Sequence, residues 1–424
     1  MTLRAVKGMN DILPDEIGRW HRVEAAFRQA VELHGYREIR TPLVEPTSLF
    51  VRSIGETTDV VEKEMFSFAH HRDEITLRPE GTAGAARAYV EHQIFAKQPV
   101  TRWFYIGPMY RGETPAKGRY RQFHQAGCEV YGDPGPLVDA EMIDMLVGFL
   151  KSIGAPDFEV VLNSLGSPET RNRYRQALLD YFTPLKDQLS ADSQRRLATN
   201  PLRILDSKDE KDQALAAQGP QILDLLDGDD RQHFDMLRRH LDAMKTPYRV
   251  DPRLVRGLDY YNRTLFELRI TSDVLGAQGT LGGGGRYDRM VGELGGRETP
   301  CIGFGLGLER ILLVSSLAEA QRQAFVYVAP MGERAQSEAL TVAKELRAAG
   351  IEVQVDGRGQ KFKTMLHRAN DSGARYCIVI GDNEVDKGVL GIKDLAAHSQ
   401  TDIARVDVVS YLTTQIRDAS GGTR

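Results

Sequence analysis

The chain has 424 residues, more than one ordinary hydrophobic core accommodates, so two or three domains are expected. Hydrophobic residues make up 41% of the sequence and charged residues 27%, and no apolar run is long enough to span a bilayer, which argues against a membrane protein. A net charge of -4 argues against indiscriminate nucleic-acid binding but leaves room for a local basic surface.

Cysteine and histidine usage disfavours two classes of site. The three cysteines, Cys128, Cys301 and Cys377, lie far apart without CxxC spacing, which disfavours a disulfide framework and a structural zinc site. The ten histidines include no HExxH motif, so no metal site built into the protein is expected. Residues 1–16 lack the apolar segment of a signal peptide, so a cytoplasmic location is expected.

The first predicted elements are a helix and a short strand. Residues 13–15, Leu-Pro-Asp, form a helix start signal, apolar residues follow at helical spacing, and Gly35 stands where the helix is expected to end. Residues 36–42 alternate like a strand and end in Pro42. Proline cannot donate a ladder hydrogen bond, so it suits the end or edge of a strand.

A strand-to-helix corner follows at residues 78–82. The sequence Arg-Pro-Glu-Gly-Thr leads there into an alanine-rich segment through Tyr89, which predicts a helix. Glu80 and Thr82 stand at the corner, where they either cap backbone amides or hold the ammonium group of a ligand. Position alone favours capping by roughly two to one.

Residues 102–132 are the most informative stretch of the chain. Two aromatic-rich segments that predict strands flank a loop containing Gly, Pro and Lys. Successive strand side chains point to opposite faces, so polar and aromatic residues of the second segment share one face. These residues are Arg121, Phe123, Gln125, Gly127, Glu129 and Tyr131. Burying such polar groups unpaired costs roughly 1 to 3 kcal/mol each, so this face is predicted to meet a ligand.

The middle of the chain is mainly helical. Residues 137–153 predict an amphipathic helix, and residues 160–162, Val-Val-Leu, predict a short buried strand. From about residue 166 to residue 246 the sequence is charged and leucine-periodic, and it is interrupted by Asn-Pro and Gly-Pro pairs. This stretch predicts an inserted helical subdomain.

Glycine density rises again in the segments that follow. Four consecutive glycines at 282–285 are expected where side chains would block a close backbone approach or a ligand, and a flexible tip is the equally weighted alternative. Residues 301–313 predict a glycine-rich strand that runs into a helix, but their spacing fits neither GxGxxG nor a P-loop. Arg310 falls in the first turn of that helix, from which a guanidinium can reach a phosphate. Residues 325–424 alternate strand and helix in the βαβ manner and predict a separate α/β unit.

The order of these segments resembles the histidyl-tRNA synthetases, a family of class II aminoacyl-tRNA synthetases, over nearly the whole chain. Residues 35–42 resemble the first class II motif, residues 102–132 the second and Gly303–Arg310 the third. The pair Leu254–Tyr261 and Gly284–Asp288 is more specific, because it resembles the motifs that single out the histidine enzymes within class II.

The resemblance implies an α+β fold. A class II catalytic domain built on an antiparallel sheet is expected at residues 1–324, interrupted by a helical insertion at about 166–246, where Asn200–Lys208 resembles the family's insertion domain. Residues 325–424 are similar to the C-terminal α/β anticodon-binding domain of this subgroup. The resemblance also implies a homodimer with Pro42 at the interface.

The activity implied is that of a histidine–tRNA ligase used in protein synthesis. L-histidine and ATP give histidyl-adenylate and pyrophosphate, and histidine then passes to the 3′ end of its tRNA. By resemblance Arg111 and Arg256 are the catalytic cations that flank the α-phosphate, and Arg310 serves the distal phosphates with Mg²⁺ that arrives with ATP. Arginine suits this work because its planar fork of donors makes bidentate phosphate contacts and keeps its charge. The implied ATP-binding residues are Arg111, Arg119, Arg121, Phe123, Arg256 and Arg310.

Phe123 is implied to stack on adenine, although spacing alone suits an ordinary strand aromatic equally well. Histidine selection requires a partner for each imidazole nitrogen, and unpaired partners then reject apolar analogues by roughly 10⁴ or more. By resemblance Glu129 and Tyr261 read the imidazole, with Tyr260 beside them, while other residues hold the α-amino group. The implied histidine-binding residues are Glu80, Gly81, Thr82, Gln125, Glu129, Tyr260 and Tyr261.

One loop departs from the family pattern. The second-motif loop of the family commonly reads Arg-x-Glu-Arg-Pro-Gln, whereas residues 111–116 read Arg-Gly-Glu-Thr-Pro-Ala. The resemblance therefore carries no acceptor-stem contact over to Thr114 or Ala116.

Two other classes of protein are alternatives to the enzyme. A non-catalytic paralogue, the regulatory subunit of ATP phosphoribosyltransferase, shares the catalytic-domain fold. Such paralogues lack the closing domain and usually lose the Arg-Gly-Leu-Asp-Tyr-Tyr motif, both of which are present here. A structural or RNA-binding protein would not require the intact Arg111, Arg256 and Arg310. These features favour the enzyme.

Overall fold

The structure, a computed structural model, describes residues 2–55, 58–271, 275, 279–317, 325–358 and 361–419. The chain divides into two compact units, residues 1–320 and residues 321–424. The junction predicted at residue 324 falls within residues 318–324, which lie outside the described residues.

The first unit contains both helices and strands. Its helices are α1 (Pro14–Leu33), α2 (Thr47–Ile54), α3 (Thr82–Glu91), α4 (Pro136–Ser152), α5 (Pro168–Phe182), α6 (Ala191–Thr199), α7 (Glu210–Ala216), α8 (Gly228–Met244), α9 (Met290–Glu293) and α10 (Leu308–Val314). Its strands are β1 (Arg37–Glu38), β2 (Val44–Pro46), β3 (Phe66–His70), β4 (Asp73–Leu77), β5 (Thr101–Tyr110), β6 (Gln122–Tyr131), β7 (Phe158–Ser164), β8 (Arg249–Val250), β9 (Asn262–Ile270), β10 (Thr280–Arg286) and β11 (Cys301–Gly307).

The first helix follows its sequence signals closely. Helix α1 begins at Pro14, whose fixed φ suits the first helical position, and it ends just before Gly35, which has a φ of 79°. The strand predicted over residues 36–42 is shorter, because β1 pairs with β5 only through Arg37 and Glu38. One further bond joins Ile39 N to Phe104 O at 2.8 Å, and Pro42 has no N–H with which to extend the ladder.

A mixed sheet of eight strands forms the centre of this unit, in the order β1-β5-β6-β11-β10-β9-β7-β8. Only the outer pairs β1–β5 and β7–β8 are parallel, so the prediction of an antiparallel catalytic sheet is confirmed. Helices α1, α4, α8 and α10 bury their apolar residues against one face of this sheet. A separate small sheet has the order β2-β4-β3.

Strand β6 shows how the alternating pattern divides core from site. Ala126, Cys128 and Val130 are fully buried in the helix-covered core. Gln125 and Glu129 point to the opposite face, as the sequence pattern predicts. The polar side chains are thereby collected on the sheet face away from the main core.

The stretch predicted as an insertion contributes to two different cores. Helix α8 packs on α4, and its Phe234, Leu237 and Leu241 belong to the main core because they form one apolar stripe. Helix α5 and the segments after it pack in another cluster, which also includes Leu254 and Tyr261. The inserted residues are therefore joined by direct packing to the segment that carries Arg256.

The second unit is an α/β layer structure. Its strands are β12 (Val326–Met331), β13 (Val353–Val355), β14 (Tyr376–Gly381), β15 (Val389–Asp394) and β16 (Ser399–Ala404), and its helices are α11 (Glu333–Ala348), α12 (Phe362–Asp371), α13 (Asp382–Lys387) and α14 (Val408–Ala419). The sheet order is β13-β12-β14-β15-β16, with β12 parallel to both of its neighbours. In the part of the chain that is described, no helix is long and apolar enough to cross a membrane.

Candidate active site

Glu129 lies at the centre of a cluster of buried polar side chains on the sheet face away from the main core. This cluster forms the Glu129 pocket. Its carboxylate is fully buried, and Thr82 Oγ1 and Tyr105 OH donate to Oε1 at 2.7 and 3.1 Å. The hydroxyl of Tyr287 donates to Oε2. Burial raises the pKa of Glu129 to about 8, against the opposing effect of the Tyr287 and Thr82 hydroxyls. A carboxylate held by three hydroxyls is fixed in orientation and has further acceptor capacity for a ligand N–H.

Glycines in β10 and β11 leave the space that the site side chains occupy. A Cβ on Gly303 would overlap Glu129 Oε2, and one on Gly305 would lie 2.6 Å from Gln125 Nε2. In β10, a Cβ on Gly283 would lie 2.9 Å from Arg256 Nη1. Of the two interpretations of the glycine run, the close-approach one therefore describes residues 282–285, which form an ordered central strand.

The N-terminus of α3 forms one wall of the pocket. Glu80 accepts hydrogen bonds from Thr82 N and Ala83 N, both at 2.8 Å, so it caps the helix as position alone favoured. Burial raises the pKa of Glu80, although these two backbone amides act in the opposite direction. Gly81 N donates to Gln125 Oε1 at 3.3 Å, which connects the helix to β6. Four residues predicted to bind histidine thus adjoin one another here.

Aromatic residues form the next wall. The rings of Tyr260 and Tyr261 have centroids 4.5 Å apart, and Tyr260 meets Tyr287 edge-on at 5.7 Å. A Cβ on Gly285 would lie 3.1 Å from Tyr261 Cδ1, so the absence of a side chain at this glycine leaves room for the Tyr261 ring. Tyr260 and Tyr261 therefore lie in the same neighbourhood as Glu129, as the resemblance implied.

A buried ion pair supports the segment that carries Tyr287. The preceding residue, Arg286, and Asp139 of α4 are both fully buried, with Nη2 and Oδ1 2.7 Å apart. His233 of α8 shares this carboxylate, with Nε2 2.9 Å from Asp139 Oδ2. Arg286 Nη2 also donates to Gly135 O at 2.7 Å. Because the buried guanidinium has several acceptors, it fixes the end of β10 beside the pocket.

An arginine-lined cavity of about 810 Å³ lies in the same unit. Its basic lining residues are Arg111, Arg119, Lys208, Arg253, Arg256, Arg269 and Arg310, and its acidic ones are Glu159, Asp206, Asp251 and Glu267. Glu267 is held by Arg269 at 2.9 Å and lies 3.8 Å from Arg256 Nη1. The cations exceed the acids, so the cavity is suited to a polyanion such as a triphosphate.

Arg111 adjoins both the pocket and the cavity. Its Nε donates to Pro79 O at 2.9 Å, and its guanidinium stands 5.4 Å from the centroid of the Phe123 ring. Burial lowers the pKa of Arg111, and the nearby Arg256 charge acts in the same direction while Glu80 opposes it. An anion bound beside Arg111 would offset this repulsion from Arg256.

The loop between β5 and β6 is held at several points. Arg310 Nε donates to Gly118 O at 2.9 Å, and its Nη1 donates to Thr280 O at 2.7 Å. Glu113 forms an ion pair with Arg119. Arg310 lies in the first turn of α10, as predicted from the sequence. It therefore supports this loop as well as lining the cavity.

The described residues that line the cavity do not include two predicted ATP-binding residues, Arg121 and Phe123, or the predicted interface residue Pro42. Arg121 is half-buried, and its Nε donates to Glu113 O at 3.2 Å. Among the described residues that line the cavity, Arg121 does not occur. Pro42 is exposed and precedes β2.

Sequence reasoning missed several residues that hold the site together. Tyr105 and Tyr287 both donate to Glu129, and Glu267 faces Arg256. A signal for Tyr105 existed, because it pairs with Gly127 across the β5–β6 ladder and a Cβ there would lie 2.5 Å from its hydroxyl. A large polar side chain opposite a glycine is the pattern to look for.

Comparison with known proteins identifies the family on independent grounds. Residues 8–311 match the family model described as histidyl-tRNA synthetase, and residues 325–415 match the model described as anticodon binding domain. A histidine–tRNA ligase of Sorangium cellulosum is 59% identical over 422 residues, which cover 100% of this chain and 99% of the relative.

Solved structures agree with this assignment. The apo histidyl-tRNA synthetase of S. aureus superposes with a TM-score of 0.80 at 33% identity, covering 97% of this chain and 99% of that one. A structure described as an ATP phosphoribosyltransferase regulatory subunit/histidyl-tRNA synthetase from Bacillus halodurans C has a TM-score of 0.63 at 20% identity, covering 89% of this chain and 97% of that one, which shows the shared fold alone. The chain belongs to the histidyl-tRNA synthetase family of class II aminoacyl-tRNA synthetases.

Proposed function

We propose that the histidine–tRNA ligase activity of this chain resides in the Glu129 pocket, which binds histidine, and in the adjoining arginine cavity, which binds ATP. One observation carries the assignment. Residues 256–261 supply Arg256 to the cavity and Tyr261 to the surroundings of the pocket, so a single segment borders both substrate sites. Joining a buried amino-acid site to a phosphate site is what the activation step requires.

In the proposed first step, the carboxylate of histidine attacks the α-phosphorus of ATP in line. The bond from that phosphorus to the bridging oxygen breaks, and pyrophosphate leaves with the electron pair. Negative charge on the phosphoryl oxygens is stabilised by Arg111 and Arg256, while Arg310 holds the distal phosphates. Adenine stacks on Phe123, and Arg119 and Arg121 support the loop that borders the nucleotide.

We propose Mg²⁺ as a companion of ATP, bound to its phosphates on entry. Chelation of Mg²⁺ with excess EDTA is expected to stop histidine-dependent exchange, because the β- and γ-phosphates then keep their full charge in the cavity. Restoring Mg²⁺ should restore the rate. Exchange that persists at the same rate in EDTA would contradict this part of the proposal.

For histidine itself, Glu129 accepts from one imidazole N–H and Tyr261 contacts the other nitrogen, with Tyr260 beside them. Glu80, Gly81, Thr82 and Gln125 surround the α-amino group. Capping and ammonium binding are compatible at Glu80, because each carboxylate oxygen accepts more than one hydrogen bond. The geometry of the α3 N-terminus supports both roles at once.

The second step transfers histidine to the 3′ end of the histidine tRNA. The second unit, matched as an anticodon-binding domain, is proposed to hold the anticodon end of that tRNA. The charged tRNA is used in protein synthesis, and we propose a cytoplasmic location for the enzyme on that ground.

We also propose a homodimer with Pro42 at its interface. Pro42 is exposed, and Leu43 and Val44 beside it leave 42% and 39% of their surfaces accessible. Consecutive apolar residues at a surface are typical of an interface. Sedimentation at low concentration tests this, with Leu43→Asp expected to favour the monomer. A monomeric wild-type protein at micromolar concentration would contradict the proposal.

The function is tested by ATP–pyrophosphate exchange with single amino acids. We expect exchange with histidine only, and its absence with every amino acid would favour a non-catalytic paralogue. Glu129→Ala should then weaken histidine strongly, because the imidazole loses its acceptor and three hydroxyls lose theirs, a discrimination of roughly 10⁴ in comparable sites. Unchanged histidine affinity in this variant would overturn the role of Glu129.

A further inference from the structure

The segment Asn200–Lys208 lies in the insertion and has no role in the proposed function. Its last four residues, Leu205–Lys208, line the arginine cavity. The same cavity is lined by Arg111, Arg256 and Arg310. The insertion therefore forms part of the wall of the cavity proposed for the ATP phosphates.

Packing fixes this segment against the Arg256 loop. Leu202 and Ile204 are buried in one cluster with Leu254 and Tyr261, which flank Arg256 in the chain. Arg203 adds an ion pair to this packing, since its Nη2 lies 3.2 Å from Asp59 Oδ2. Its Nη1 also approaches Gly257 closely, because a Cβ on that glycine would lie only 3.2 Å away. The position of the segment relative to the cavity thus follows from a shared core.

The residue before Lys208 is held on both its side chain and its backbone. Ser207 Oγ donates to the buried Asp212 at 2.6 Å, and Gln213 Nε2 donates to Ser207 O at 3.0 Å. Lys208 itself is exposed. Its attachment point is therefore fixed, while its four-carbon stem leaves the ammonium free to reach into the cavity.

The charge of Lys208 is available to a ligand. In the part of the chain that the structure describes, no ion pair involves Lys208. The neighbouring Asp209 accepts from Lys211 N at 2.9 Å and caps α7, and Asp206 lies 3.9 Å from Arg203. Both adjacent acids thus have other contacts.

We infer that Lys208 binds the distal phosphates of ATP, those that leave as pyrophosphate, as a cation that the insertion adds to the arginine set. This inference rests on the proposed function. The distal assignment follows from exposure, because Arg111 and Arg256 are held within the site and Lys208 stands at the outer, solvent-accessible part of the lining. An ammonium at that position contacts the phosphates as a point charge.

The test compares Lys208→Ala with Lys211→Ala, which removes the same charge from α7 outside the cavity lining. In histidine-dependent exchange we expect Lys208→Ala to raise the KM for ATP about tenfold, with the KM for histidine unchanged. Lys208→Arg should recover most of the loss, and Lys211→Ala should match the wild type.

Direct binding separates a phosphate contact from a structural defect. Calorimetric titration is expected to show weaker ATP binding by Lys208→Ala but unchanged AMP binding, because AMP lacks the distal phosphates. The ATP difference from wild type should shrink at high salt, since an exposed ionic contact is screened. Equal ATP affinity, or parallel loss of ATP and AMP affinity, would overturn the inference. A wild-type chain without any histidine-dependent exchange would instead overturn the proposed function and the inference that depends on it.

Discussion

The Glu129 pocket and the arginine cavity handle polar groups in opposite ways. In the pocket, one fully buried carboxylate is held by three hydroxyl donors, and glycines leave it barely enough space. In the cavity, several half-buried or exposed cations surround a volume of about 810 Å³. The first is a single fixed acceptor in a tight space, and the second is a wide cavity lined by several cations.

This difference matches the chemistry of the two proposed substrates. An imidazole is small and differs from other side chains by its two ring nitrogens. A site selects it by fixed hydrogen-bond partners, which stay unpaired when the wrong ligand binds. A triphosphate carries much charge and changes its charge distribution during reaction, which requires several cations positioned around the phosphates. Substitutions that add volume should therefore impair histidine binding in the pocket most. Substitutions that change the geometry of a cation should impair the reaction of ATP in the cavity.

Among substitutions that leave Glu129 itself in place, Gly303→Ala is expected to have the largest effect. Because the added Cβ would overlap Glu129 Oε2, the carboxylate must move off its hydroxyl donors. We expect kcat/KM for histidine to fall by roughly 10³, which approaches the full discrimination that hydrogen bonds to the imidazole provide. The KM for ATP should change little. Steady-state exchange measures both constants.

Gly307→Ala is the matched control for this change. It lies in the same strand, with a φ of -80°, and a Cβ there would find its nearest neighbours at 4.0 Å. It should keep histidine binding near the wild-type value. If Gly303→Ala bound histidine normally, the tight-space description of the pocket would be wrong.

The next effect belongs to the cavity. Arg256→Lys keeps the charge but removes the planar fork, so we expect kcat to fall by about 10² while the KM for histidine changes little. Arg253→Lys is the control, since Arg253 lines the same cavity but is half exposed and pairs with Asp251 at 3.6 Å. If the substitution raised only the KM for ATP and left kcat unchanged, Arg256 would bind the ground state and the transition state equally.

The sequence predicts those features of the site that depend on residues close together in the chain, and it fails for contacts between distant residues. Alternation in β6 assigned Gln125 and Glu129 to one face, and the start of α10 placed Arg310, because both patterns are local. Family resemblance added the expected pairing of Glu129 with Tyr261. These features required only neighbours along the chain or a known motif.

The supports of the site could not be predicted in the same way. Tyr287 and Glu129 are 158 residues apart, and Arg286 and Asp139 are 147 apart, so each contact depends on the sheet order and on how α4 crosses it. A buried Arg–Asp pair also contradicts the usual preference of charged residues for the surface. The polar pattern showed that a ligand face existed but not which hydroxyls would hold it.

Tyr287→Phe tests one of these hydroxyls and should have a smaller effect. Loss of one hydrogen bond to a buried carboxylate costs about 1.5 to 3 kcal/mol, so histidine affinity is expected to fall at least tenfold. Tyr174→Phe is the control, because it removes a hydroxyl that donates to Pro220 O at 3.2 Å in the insertion. Equal histidine affinity in both variants would mean that Thr82 and Tyr105 suffice to hold Glu129.

The smallest effect concerns the pH dependence of histidine binding. Burial raises the pKa of Glu129 to about 8, so without histidine the carboxyl is mostly protonated at neutral pH. A carboxylate accepts a stronger hydrogen bond from an imidazole N–H than a protonated carboxyl does, so histidine binding is expected to release this proton. Below pH 8 we therefore expect apparent affinity to fall as pH falls, by up to about tenfold per unit, whereas above the pKa it should level off.

Calorimetry in buffers of different ionisation enthalpy measures that proton directly. At about pH 7, where free imidazole is mostly neutral, release should approach one proton per histidine bound. Because the Tyr287 hydroxyl lowers the pKa of Glu129, Tyr287→Phe should raise that pKa. The pH range over which histidine affinity falls should then move to higher pH. Constant affinity between about pH 7 and pH 8.5 with no proton released would mean that Glu129 is already ionised in the free pocket. The three hydroxyls would then outweigh burial, and the pocket would resemble the cavity in holding its charge permanently.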